Sequence, residues 1–203
     1  MTKHEEQYGT FFIVGIVLFV LVVLVAILYG LKYVYKPHYP TITYNNFEFK
    51  QKDKFWHTLW QRNDKVYTIS LRFNPKELED IPITGVLNST FNRRKTTHVT
   101  FDPQSDSDQF KYLAVAASEL TVNMAGPLGK DIVAACTQNI TSACADRPIV
   151  SCESNEKNVI LLKAEGAPHI ELNNTCMTLY GTGFDIVKTI DKMLYIWMQI
   201  IPT

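Results

Sequence analysis

The chain has 203 residues, and its 20 basic and 20 acidic side chains cancel. A balanced chain carries no electrostatic footprint for nucleic acid or for a strongly acidic partner. The 12% of aromatic residues, with apolar residues spread along the length, exclude a disordered chain, and the part following the first apolar run is long enough for one ordinary domain.

After a short polar tail over residues 1–10 comes FFIVGIVLFVLVVLVAILY, Phe11 to Tyr29, nineteen residues without a charge or a side-chain amide. At ~1.5 Å per residue, residues 11–31 span roughly 31 Å as a helix, the thickness of a bilayer's hydrocarbon core. A helix on a soluble core keeps a polar face, and this one has none. Residues 11–31 are therefore expected to be a transmembrane helix, with the lipid bilayer as first partner. The tail sets Lys3 against Glu5 and Glu6, and LKYVYKPHY after the run offers no small-residue cleavage site, so an uncleaved anchor is expected rather than a secretory signal. A prepilin-like reading meets Val14, an apolar residue where prepilins usually carry Glu.

Residues 32–40 form a linker whose two prolines discourage a continuing helix. The α+β domain is expected over 41–203. Thr41 to Lys50 is rich in β-formers. Phe55 to Gln61 and Lys65 to Phe73 flank the turn residues Arg62-Asn63-Asp64, and in the second of them Tyr67, Ile69, Leu71 and Phe73 share one face, which predicts a hairpin. Trp56, Trp60 and His57 fit strand packing better than a ligand cleft. Asn74 and Pro75 start a helical turn. Ile81 to Phe91 and His98 to Asp102 read as strands.

Asp102, Asp106 and Asp108 lack the pattern of a calcium loop and serve better at the start of a helix over about 108–124. Phe110, Leu113, Ala117, Leu120 and Met124 share one face of it, with Glu119 at the edge as a catalytic carboxylate in an enzyme reading. Asp131 to Cys136 is a short element. Pro148 to Cys152, Val159 to Glu165, His169 to Asn173 and Cys176 to Gly181 read as strands, the last two as a hairpin. The final helix, 184–201, has a buried stripe of Phe184, Val187, Ile190, Leu194, Trp197 and Ile201, and Thr182 with Asp185 resembles a capping box. Its second half is apolar nearly all round, which makes Trp197, Met198 and Ile201 candidate contacts for a partner.

Cys136, Cys144, Cys152 and Cys176 lie in the last third, without the close pairs of a zinc site. Two disulfides in an oxidising compartment are the expectation, and the spacing leaves all three pairings open. Lys32, Lys36 and Lys50 flank the anchor on its C-terminal side, against Lys3 on the other, and lean toward a cytoplasmic domain. The cysteines, with sequons at Asn88, Asn139 and Asn173, lean toward the exterior face, which is favoured.

The stretches LRFNPKELEDIPITG, FDP, LAVAASEL, AACT, RPIVSC and NNTCMTLYGTGFDIVKTIDKML, together with the anchor, resemble those of small single-pass membrane proteins of archaea. The resemblance implies an architecture, with no established activity and no residue roles. No catalytic, phosphate-binding or redox motif is present, and no cofactor, metal or nucleic acid is expected. The function expected is a membrane-anchored, non-catalytic binding or assembly protein, with a protein partner in the membrane. The alternatives are an anchored hydrolase-like enzyme using His57 or His98 with a carboxylate, and a pilin-like subunit.

Overall fold

The structure, a computed structural model, describes residues 3–34 and 39–202. The chain divides into two units, residues 1–39 and 40–203. Of the expected linker, residues 32–34 belong to the first helix and residues 35–38 lie outside the described residues.

The first unit is one helix, α1 (Lys3–Val34). Within it Ile13–Gly30 is long and apolar enough to cross a membrane, and none of its residues is buried.

The second unit has an α+β fold with two sheets. The first sheet is an antiparallel meander of β1 (Thr41–Tyr44), β2 (Phe47–Lys52), β3 (Phe55–Arg62) and β4 (Lys65–Leu71), paired in chain order. Each connection is a two-residue turn. In the first, Asn45 and Asn46 take φ of 43° and 67°, the left-handed conformation that suits the right-handed twist of a hairpin. The β-rich stretch 41–50 therefore forms two strands rather than a single run. Asn74 then caps the 3-10 turn Pro75–Leu78 as expected, in a reciprocal box with Glu77.

The second sheet is mixed. Its strands are β5 (Ile83–Leu87), β6 (Thr96–Phe101), β7 (Asp131–Ala134), β8 (Asn158–Lys163), β9 (His169–Asn174) and β10 (Cys176–Tyr180). Their order is β5-β9-β10-β8-β6-β7. Strands β10, β8, β6 and β7 run parallel to one another, and the β9–β10 hairpin is antiparallel as expected. The parallel part arises because β6 reaches β7 through a helical crossover, α3 (Phe110–Ala125). Residues 88–91, expected as strand, instead enter the short helix α2 (Ser89–Arg93), because the Asn88 side chain accepts the Thr90 N–H and caps it. Pro148 to Cys152 forms only an isolated bridge between Ile149 and Cys136.

The last helix is α4 (Asp185–Trp197). The expected capping box does not form. The Thr182 hydroxyl donates to the Gly166 carbonyl, and Phe184 occupies the cap with half its surface exposed. Gly181 is required at this entry, since a Cβ there would come within 2.4 Å of the Asp185 backbone.

Helices α3 and α4 pack against each other between the two sheets. On one side α4 meets β10, and α3 meets β7 and β8. On the other side Tyr195 packs edge-on against Phe49 of β2, and its hydroxyl donates to the Phe73 carbonyl. Helix α4 is thus covered on two sides, and Ile186, Val187, Ile190, Leu194 and Tyr195 have no exposed surface. This is why its second half lacks a polar face.

Candidate functional site

Helix α4 ends in a Schellman turn. Gln199 takes φ 58°, its N–H donates to the Ile196 carbonyl, and the Ile200 N–H reaches the Tyr195 carbonyl. This turn swings Ile200 and Ile201 back into the core, where Ile201 and Met198 keep only 6% and 2% of their surface. Met198 and Ile201 therefore pack mainly into the core, and Met198 also borders a cleft beside Trp197. Trp197 differs: it is half-buried and stacks on Phe91 of α2, ring centroids 6.3 Å apart.

Trp197 and Phe91 form one wall of a cleft of about 450 Å³. Trp60, near the end of β3, lines it as well, with its indole N–H committed to the Met198 carbonyl at 2.8 Å. Two cations enter the same space. Arg62 Nη1 donates to the Pro127 carbonyl at 3.2 Å, and Lys130 Nζ donates to the carbonyls of Asn92 and Arg94 at 2.6 and 2.7 Å. Burial, and then the neighbouring Arg62, lower the pKa of Lys130. No carboxylate lines the cleft, and neither cation has an ion pair among the described residues. Gly129 holds the connecting loop at φ 62°, where a Cβ would also crowd Arg62 Nη1 at 3.2 Å. The cleft therefore offers aromatic faces beside two positive charges without a counter-ion, an arrangement suited to an anionic group on an apolar or aromatic body.

A second cluster lies at the junction of β4, α3 and α4. Asp191 Oδ2 accepts the backbone N–H groups of Arg72 and Phe73 at 3.1 and 3.0 Å. Glu119 accepts from Arg72 Nε at 2.9 Å and from its backbone N–H at 3.2 Å. Asp191 Oδ1 is buried and has no hydrogen-bond donor of its own. Burial, then the adjacent Glu119 carboxylate, push the Asp191 pKa well above the usual carboxylate range. Burial also raises Glu119, against the opposing pull of its bond from Asp191 and of the Arg72 charge. A proton on Asp191 would remove the repulsion between the two carboxylates. Burial, then the two carboxylates, hold the Tyr195 phenol well above its normal range. Both carboxyl groups are engaged in joining the helices to the first sheet, so Glu119 is tied into the packing.

His57 and His98 stand apart from any such pair. His57 lies on the outward face of β3, with its ring nitrogens on Ser70 Oγ at 2.7 Å and the Lys52 carbonyl at 3.2 Å. His98 Nδ1 has no hydrogen-bond partner, and burial lowers its pKa. Trp56 is buried in the core, as its strand position predicts, whereas Trp60 lines the cleft.

The cysteines pair as Cys136–Cys144 and Cys152–Cys176, with sulfur–sulfur distances of 2.06 and 2.02 Å. The first closes the loop between residues 136 and 144, and the second ties the segment that follows it to the start of β10. Asn88, Asn139 and Asn173, the three sequon residues, are all exposed.

Sequence reasoning passed over Arg62, Phe91 and Lys130, because what unites them is a meeting of elements distant in the chain. Asp191 left one signal: it is an acidic residue inside an apolar helix. Comparison with known protein families, with curated proteins and with solved structures finds no match.

Proposed function

We propose that the protein is a membrane-anchored, non-catalytic binding protein whose domain stands on the exterior face and captures an acidic segment of a partner protein in the aromatic cleft. The observation that carries the reading is the pair Arg62 and Lys130, two cations converging beside Trp60 and Trp197 with no carboxylate to neutralise them. Anchoring is supported by the uniform exposure of Ile13–Gly30, since an apolar helix of that length needs an apolar phase around it. The exterior placement is supported by the two disulfides and by the exposure of all three sequons. The hydrolase-like reading gains nothing from His57 or His98, which have no carboxylate among their hydrogen-bond partners.

The test uses the full chain in nanodiscs and follows tryptophan fluorescence. The probes are short peptides combining aromatic residues with Asp and Glu, and counterparts with Lys in their place. The acidic peptides should bind, should weaken with added salt, and should lose at least about tenfold in affinity with Arg62→Glu or Lys130→Glu. Equal binding of both peptide sets, or binding indifferent to both substitutions, overturns the cleft. The anchor is read separately: the protein should stay with the membrane in alkaline carbonate. A mature chain lacking residues 1–31 in the soluble fraction overturns that part.

A further inference from the structure

A second cavity, of about 380 Å³, runs between α3 and the free-edge strand β7. It shares no lining residue with the aromatic cleft. One wall follows α3 through Phe110, Leu113, Ala117 and Thr121. These positions keep helical spacing, so the slot follows the helix for about 16 Å at ~1.5 Å per residue. The opposite wall is made by Val99 and Phe101 of β6 with Ile132 and Ala134 of β7. The only polar side chains in the lining are Thr121 and Arg147.

Arg147 is held where the disulfide loop rejoins the sheet. Its N–H donates to the Cys144 carbonyl at 3.2 Å, and the next residue, Pro148, accepts the Cys136 N–H at 3.1 Å. The Arg147 side chain is exposed and forms no ion pair or hydrogen bond among the described residues. A long apolar slot rejects polar ligands, which would lose their hydrogen bonds to water, and gives water inside it few partners. A guanidinium without a partner at the same slot selects for an anion, and a carboxylate matches its fork.

We propose that this slot binds an amphiphile with a single hydrocarbon chain and a carboxylate head, the chain lying along α3 and the carboxylate meeting Arg147. The inference is independent of the aromatic cleft. It gives the Cys136–Cys144 bridge a purpose beyond stability, which is to hold the anion-binding arginine at the slot.

The test uses the full chain in nanodiscs and a diazirine-bearing dodecanoate as photo-crosslinking probe. Labelling should map to peptides covering residues 110–121 and 131–135. Excess dodecanoate should compete, whereas dodecyltrimethylammonium should not. Arg147→Glu should reduce labelling by about tenfold or more, the scale of a lost charge-assisted hydrogen bond. Ala117→Leu, which fills the slot and leaves the charge, should reduce it as well. Thermal melting of each variant confirms that it folds, and Arg147→Gln replaces Arg147→Glu if the latter does not. Labelling confined to the α1 peptide overturns the proposal, as does labelling that survives both substitutions. Equal competition by the cationic amphiphile, or competition by a peptide carboxylate and not by dodecanoate, overturns it too.

Discussion

Asp191 is a carboxyl group without exposed surface, on a helix packed between two sheets. Its pKa is raised in the folded state, so the proton is held more tightly there than in the unfolded chain, where the ordinary value is 3.8. The contribution of the protonated pair is then complete below that ordinary value. It is lost as pH rises through the folded-state pKa, because over that window the native protein binds the extra proton. Asparagine at this position mimics the protonated acid. Its amide oxygen can take the place of Oδ2 on the N–H groups of Arg72 and Phe73, and its NH₂ can donate to Glu119 from the place of Oδ1. Asp191→Asn is therefore expected to melt at or above the wild-type temperature at neutral pH, with the difference shrinking as the pH is lowered toward the carboxylate range. Asp191→Ala leaves the Phe73 N–H unpaired and the Arg72 N–H with Glu119 alone, and should cost about 1–3 kcal/mol. Melting curves of the three proteins across the acid-to-neutral range test this. A wild-type advantage over Asp191→Asn that grows with pH would mean that a charged Asp191 is what stabilises the junction.

Helix α4 is the element on which both sheets rest, and its last turn is unevenly buried. Leu194 has no exposed surface, while Trp197, one turn on, is half-buried over Phe91. Truncating a fully buried leucine costs ~2–5 kcal/mol, so Leu194→Ala should lower the melting temperature by on the order of 10 °C. Trp197→Ala should lower it by less than Leu194→Ala while removing peptide binding in the cleft. A larger loss of stability at Trp197 than at Leu194, with peptide binding retained, would make Trp197 a core residue only. Much of this element was legible in the sequence, since helical spacing picks out Val187, Ile190 and Leu194 as buried. Its burial on two sides was not, because a period reports which face is apolar and not how many neighbours cover it. The same limit applies elsewhere. The β9–β10 hairpin was read from local turn residues, and the 3-10 turn from Asn74 and Pro75. Composition marks residues 41–50 as β-rich without locating the turn, which Asn45-Asn46 makes by taking the left-handed conformation. The cleft was hidden because Arg62 and Lys130 are 68 residues apart in the chain (130 − 62) and meet only in the folded domain.

Across the whole molecule, the long segment between β7 and β8 has little regular structure of its own. Its ties are the Cys136–Ile149 bridge, a 3-10 turn at Ser142–Cys144, the disulfides and a small cluster in which Val150 packs with Ala135, Val159 and Cys176. Burying so few side chains gains little against the entropy of ordering the segment. Its attachment therefore depends on Cys152–Cys176, which joins it to β10 across a separation of 24 residues. Closing a loop of that size is worth ~3 kcal/mol in the chain-entropy account. Cys136–Cys144, spanning 8 residues, closes a smaller loop and should be worth about 1 kcal/mol less by the same logarithmic dependence. The double variant Cys152→Ala/Cys176→Ala is accordingly expected to melt lower than Cys136→Ala/Cys144→Ala. Its amide exchange should speed up across residues 138–157, with the first sheet and α4 retaining protection. Protein isolated from membranes without reductant should show no alkylatable thiol after denaturation. Four alkylatable thiols under those conditions would remove the disulfides and, with them, the chief support for an exterior domain. An exchange pattern that loosens α4 as much as the loop would show that the staple holds the core itself, and would place the cooperative unit of folding across both layers of sheet.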